Sequence, residues 1–114
     1  MAILDHSNNI ILVKLPPEPQ IRNELDKAME IVRQGGGCDV IIDFSRVDIM
    51  TSLSISGFLQ LYKILAKFNR GIVFFNVTPL VKDIFNTTCL DNIFKFADDI
   101  HIATSFLQIA DKPN

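Results

Sequence analysis

"CDVIIDFSRVDIMTSLSISGFLQLYKILAKF", residues 38–68, decides how this chain folds. It opens on a short, β-branched apolar run, residues 38–44, which reads as a strand covered on both faces. It closes on a helical pattern in which Ile55, Phe58, Leu59, Tyr62, Leu65 and Ala66 share one apolar face. Between the two, Thr51, Ser52, Ser54 and Ser56 crowd hydroxyls into the start of the helix. Hydroxyls there satisfy free backbone N–H groups, each contributing about 1 kcal/mol, and one or two suffice. Three readings stay open: caps alone, a surface that accepts a phosphoryl group, or the nucleophile and ligands of an enzyme.

Working outward, the same alternation of strand and helix recurs. Upstream, "AILDHSNNIILVKL" (2–15) places two apolar runs around an Asn-containing turn, which predicts an opening antiparallel hairpin. Pro16, Pro17 and Pro19 then break the sheet, because proline donates no ladder hydrogen bond. Ile21, Leu25, Ala28, Met29 and Val32 follow at helical spacing, and the glycines at 35–37 end that helix. Those glycines lack the GK[ST] ending of a phosphate loop and follow a helix rather than a strand, so they read as a cap.

Downstream, "GIVFFNV" (71–77) is a second buried strand, and Thr78-Pro79 starts a helix with Leu80, Val81, Ile84 and Phe85 on its apolar side. "NIFKFA" (92–97) alternates as a short strand, and Asp98-Asp99 cap a last helix carrying Ile100, Ala103, Phe106, Leu107 and Ala110. The order β-β-α-β-α-β-α-β-α predicts one α/β domain over residues 1–114. Its sheet is small and mostly parallel, with an antiparallel edge hairpin and about four helices.

Composition narrows the function. At 114 residues, 48% of them apolar and nine of them phenylalanine, the chain can fill one core without a disulfide or metal staple. Eleven basic and thirteen acidic side chains are interspersed, and a net charge of −2 argues against a nucleic-acid partner. No apolar run approaches the roughly 20 residues of a membrane-spanning helix, and no basic-then-apolar leader opens the sequence, so a cytoplasmic location is expected. Cys38 and Cys89 are isolated, as are His6 and His101, so no metal or other cofactor is expected.

An α/β-hydrolase would need G-x-S-x-G followed by its acid and histidine. Ser54 and Ser56 lack the leading glycine, and no GxGxxG follows the first strand. The expectation is a protein without enzymatic activity. Strand-to-helix junctions are nevertheless where open α/β sheets place their functional surfaces. A phosphoryl group there adds nearly two negative charges, which can break a protein interface while the fold tolerates it.

"VIIDFSRVDIMTSLSISGFLQLY" resembles the strand, D-[LF]-S-x-V and D-S-S-G-L-G-x-L segments of the STAS family, which comprises anti-sigma factor antagonists and domains of sulfate transporters. "GIVFFNVTPLVKDIFNTTCLDNIFKFADD" is similar to the family's second half, with its N-x-[ST]-P-x-[VA] segment. The resemblance implies a small sheet with helices mainly on one face. It also implies a partner, a serine-kinase anti-sigma factor or related regulator, which phosphorylates a serine of D-S-S-G to break the complex. The matching contact surface here is residues 48–58, with Asp48, Met50, Thr51, Ser52, Leu53, Ser54, Ser56 and Phe58 as its candidate members. Thr51 falls on the motif's aspartate, Ser52 on its first serine and Leu53 on its phosphorylated serine, while Ser54 and Ser56 fall on its glycines. Leucine accepts no phosphoryl group. Either Ser52 or Ser54 takes over that role, or the domain is a constitutive scaffold, such as a signalling-complex or transporter accessory, that is not switched at this loop.

Overall fold

Ile21, Leu25, Ala28, Met29 and Val32 are all buried along one side of the first helix, α1 (Ile21–Gln34), as their spacing requires. The computed structural model describes residues 2–5, 9–35 and 37–110, with backbone alone for 2–5 and 108–110. Five strands form one sheet in the order β1-β2-β3-β4-β5: β1 (Ala2–Asp5), β2 (Ile10–Lys14), β3 (Asp39–Asp43), β4 (Ile72–Phe75) and β5 (Lys95–Ala97). β2 to β5 are parallel, with Ile11 opposite Val40, Ile42 opposite Phe74, and Phe74 opposite Phe96. β1 pairs antiparallel with β2, Ala2 facing Leu12 and Ile3 facing Ile11. The turn expected at residues 6–8 lies outside the described residues, and Asn9, just after it, has φ 54°.

Side chains of the parallel strands alternate between two cores. Ile11, Val13, Val40, Ile42, Phe44 and Phe74 pack with α1, α2 (Ser52–Lys67) and α3 (Pro79–Thr87). Ile10, Ile41, Val73 and Phe75 pack beneath α4 (Ile100–Ala110) on the opposite face. Both faces are therefore covered, which is why these strands read as continuous apolar runs rather than alternating ones. Phe74 is the hub of the larger core, with ring centroids 4.6 Å from Phe94 and 4.8 Å from Phe44.

Helix boundaries follow local chemistry. Thr78 caps α3, its Oγ1 accepting from the Val81 N–H at 3.3 Å with Pro79 in the first turn. Asp99 does the same for α4, accepting from the Ile102 N–H at 2.9 Å. α1 ends at Gly35, which has φ −85°; the positive φ expected of this glycine run falls at Gly37, at 102°.

Three expectations need correction. The inward stripe of α2 is Ser54, Gly57, Phe58, Leu61 and Leu65, whereas Tyr62 and Ala66 are exposed and Ile55 and Leu59 only half-buried. The helix is turned so that Gly57 meets α1, where a Cβ would come within 2.9 Å of Leu25 Cδ1 and 3.0 Å of Arg22 Cδ. On α3, Val81 and Phe85 are buried but Leu80 is 61% exposed, because the helix is short and Leu80 sits at its solvent-facing start. The last strand spans only Lys95–Ala97; Leu90–Asn92 instead form a 3-10 turn entered through Cys89 at φ 61°.

Candidate docking site at the start of α2

The loop from β3 to α2, residues 44–51, leaves the carboxyl end of a central strand. Phe44 and Val47 root it in the core, and the Val47 N–H closes a turn onto the Phe44 carbonyl at 2.9 Å. At its base, Asp43 Oδ1 accepts from the Ser45 N–H at 2.9 Å and from Asn76 Nδ2 at 3.0 Å. The second bond ties this loop to the one that follows β4. Asn76 reaches it from a left-handed conformation, φ 58°, which asparagine tolerates better than most residues.

Beyond Val47 the chain turns outward. Asp48 and Ile49 are exposed, Ile49 at 62%, and Met50 is half-buried. Thr51 is the N-cap of α2, with extended backbone (φ −88°, ψ 164°), and its Oγ1 accepts from the Ser54 N–H at 3.2 Å. Ser52 and Leu53 follow, both exposed, with Leu53 at 60%. A leucine held open to this extent on the first turn of a well-capped helix is an apolar knob on a fixed base.

Two of the expected surface residues do not belong to it. Phe58 is fully buried, stacked on Phe44 at 5.5 Å and tilted against Phe74 at 5.3 Å between ring centroids, so it fills the core. Ser54 is also fully buried, and its hydroxyl donates to Glu18 Oε2 at 2.8 Å. The Ser54 hydroxyl is therefore turned inward, unlike that of Ser52, which is exposed. Ser56 is half-buried and accepts a long, 3.5 Å contact from Gln60 Nε2. Asp48, Met50, Thr51, Ser52 and Leu53 are brought together as one continuous rim.

Two residues that the sequence did not single out hold this rim from below. Glu18 Oε2 accepts from the Thr51 N–H at 2.6 Å as well as from Ser54, while its Oε1 is buried and accepts no hydrogen bond among the described residues. Arg22 donates from Nη1 to the Leu53 carbonyl at 2.9 Å, from Nη2 to Gln60 Oε1 at 3.1 Å and from Nε to Asp26 at 3.0 Å. One signal for them exists in the sequence. The first turn of α2 carries no acid of its own, and Glu18 is the lone acid in the Pro-rich segment before α1.

Among the described residues no group of three or more His, Cys, Asp or Glu side chains is placed to hold a metal ion. Burial pushes the Cys38 thiol above its ordinary pKa, against the opposing pull of the nearby Arg70 charge, so it is a poor nucleophile. No described helix is long and apolar enough to cross a membrane.

Comparison with known proteins gives this surface its context. The chain is similar in structure to an anti-sigma-factor antagonist (STAS) domain protein from Planctomyces limnophilus: TM-score 0.68, 17% identity, 95% of this chain and 96% of that one covered. It is similar to a sulfate transporter family protein from Wolinella succinogenes: TM-score 0.72, 10% identity, coverage 95% and 90%. It is also similar to the unphosphorylated form of SpoIIAA, an anti-sigma factor antagonist of Bacillus: TM-score 0.66, 15% identity, coverage 90% of each chain. At these identities the likeness is one of fold. No curated protein matches the sequence. The family model of the STAS domain matches residues 10–103, which is most of the chain and includes every strand of the parallel sheet as well as the loop described above. The chain therefore belongs to the STAS domain family.

Proposed function

We propose that this domain works without catalysis, as a protein-binding module of the anti-sigma factor antagonist kind. Its partner is a serine-kinase anti-sigma factor or a related regulator, and binding controls sigma-dependent transcription by partner switching. The contact surface is the rim of Asp48, Ile49, Met50, Thr51, Ser52 and Leu53, with Ser56 at its margin. The observation that carries this reading is the exposure of Leu53 and Ile49, at 60% and 62%, on a loop otherwise anchored by buried side chains and hydrogen bonds. Solvent-exposed apolar side chains on a rigid base are suited to anchoring a partner. Ser52, exposed and at the start of α2, is the hydroxyl of the proposed pair that a kinase can reach. SpoIIAA, whose fold is shared, has been solved in both phosphorylated and unphosphorylated forms, which supports a phosphorylation switch in a protein of this fold.

A second reading rests on Leu53 itself. It occupies the position that the family resemblance assigns to the phosphorylated serine, and it favours a constitutive scaffold or transporter accessory whose binding phosphate never relieves. The likeness to a sulfate transporter family protein points the same way.

One experiment tests the proposal and separates the two readings. Wild-type protein and a Leu53→Asp variant serve as baits in lysate of the source organism, and bound proteins are identified by mass spectrometry. Recovery of an ATPase-type serine kinase or its regulator by wild type alone is the expected result. A folded wild-type bait that captures no such regulator would count against the proposal. Incubating the captured kinase with the protein and ATP then decides the mode: phosphate on Ser52 means switching, and none means a scaffold.

A further inference from the structure

Helix N-termini attract negative charge, because their first N–H groups are unpaired and the helix dipole is positive there. A hydroxyl, amide or carboxylate at the cap, or an acid in the first turn, can meet that demand. α2, like α3, has no acid in either place: its cap is Thr51 and its first turn carries no Asp or Glu. The carboxylate comes instead from Glu18, 36 residues before Ser54, with one oxygen accepting from both the Thr51 N–H and the Ser54 hydroxyl. The segment bearing Glu18 is itself fixed. Leu15 on one side is buried and bonds the Asp43 carbonyl at 3.1 Å, and Ile21 on the other is fully buried.

Arg22 stands four residues beyond Glu18 and donates to the Leu53 carbonyl. The two opposite charges therefore grip the backbone on either side of Ser52, one at the N–H of Thr51 and the other at the C=O of Leu53. Gly57 lets α1 and α2 approach closely enough for this, since a Cβ there would press on Leu25 Cδ1 at 2.9 Å and on the stem of Arg22 at 3.0 Å.

We infer that Glu18 and Arg22 form a clasp that sets the backbone conformation of residues 51–54 and so the presentation of Ser52 and Leu53. Glu18 is its positioning residue. The functional weight of the clasp rests on the docking reading above, but its existence does not. It is the Glu18 carboxylate, not an external anion, that answers the positive end of α2. The rim is thus left to recognise a partner through its own exposed side chains.

Amide hydrogen exchange by NMR on the full chain tests this without any partner. In Glu18→Ala, the Thr51 amide should exchange about tenfold faster or more, the loss expected when a hydrogen bond to a charged group is removed. Amides of β4 and α4 should stay near wild type. Glu18→Gln, which keeps an acceptor but no charge, should restore much of the protection and move the Thr51 amide proton upfield, as a weaker hydrogen bond does. Arg22→Ala should loosen the first turn of α2 in the same way. Thr51 exchange within twofold of wild type in Glu18→Ala would overturn the clasp, and so would an equal acceleration across the whole sheet. If Glu18→Ala does not fold, the Gln variant decides alone: an unmoved Thr51 amide proton overturns it. Failure of the Leu53→Asp capture experiment leaves these outcomes untouched, so the two ideas fall separately.

Discussion

β3 begins and ends on a buried aspartate, and the two are held in opposite ways. Asp39, 1% exposed, meets a cation: Arg70 Nη2 lies 3.1 Å from Oδ2, and the Gly71 N–H donates to Oδ1 at 2.8 Å. Asp43, 7% exposed, accepts among the described residues from uncharged donors, the backbone of Ser45 and the side chain of Asn76. At the first end the chain seals itself with an ion pair, and Gly37 lies so close to Phe68 that a Cβ would come within 2.6 Å. At the second, Ile49 in the loop after β3, Leu53 in the first turn of α2 and Leu80 in the first turn of α3 stand out to solvent, with Glu18 and Arg22 bonded to the start of α2. One strand thus separates a closed end from an open one, and the docking surface is proposed at the open end, where open α/β sheets tend to work.

The largest effect should come from the sealed end. Asp39→Ala leaves the Arg70 charge partly buried without its carboxylate and should cost about 3 kcal/mol in urea unfolding. Asp39→Asn, which keeps an acceptor for Gly71, should cost less. At the open end, Asp43→Ala removes hydrogen bonds to neutral donors and should cost about 1–2 kcal/mol, with faster amide exchange at Ser45. Equal losses at the two ends would erase the contrast. The smallest effect belongs to Leu53→Ser, which removes an exposed side chain and should leave stability within about 0.5 kcal/mol of wild type. A larger loss there would mean that the leucine is packed rather than presented.

Much of this was legible in the sequence, and where it was not the reason is physical. The α1 stripe could be read because charged residues fill its other face, and the caps Thr78 and Asp99 could be read because capping is local chemistry. The rotation of α2 could not. Two of its inward positions are Ser54 and Gly57, which carry no apolar signal, while Tyr62 and Ala66 do carry one and face outward. A buried serine hydroxyl becomes tolerable once a distant residue accepts its hydrogen bond, and Glu18 is brought to it only by tertiary packing. The strand-to-helix junction proposed as the docking rim drew notice because hydroxyls cluster there. Which of them face solvent was decided by that same rotation: Ser52 stayed outside and Ser54 went in.

The far rim of the sheet carries a consequence for solubility. β5 has only three residues, and Lys95 stands exposed on it with its ammonium group 5.9 Å from the centre of the Phe106 ring. A bare strand margin recruits extended segments from other molecules, whereas a short one guarded by a lysine does so poorly. Stacking of copies into fibres through that margin is therefore discouraged by the chain's own chemistry, even when the protein is crowded.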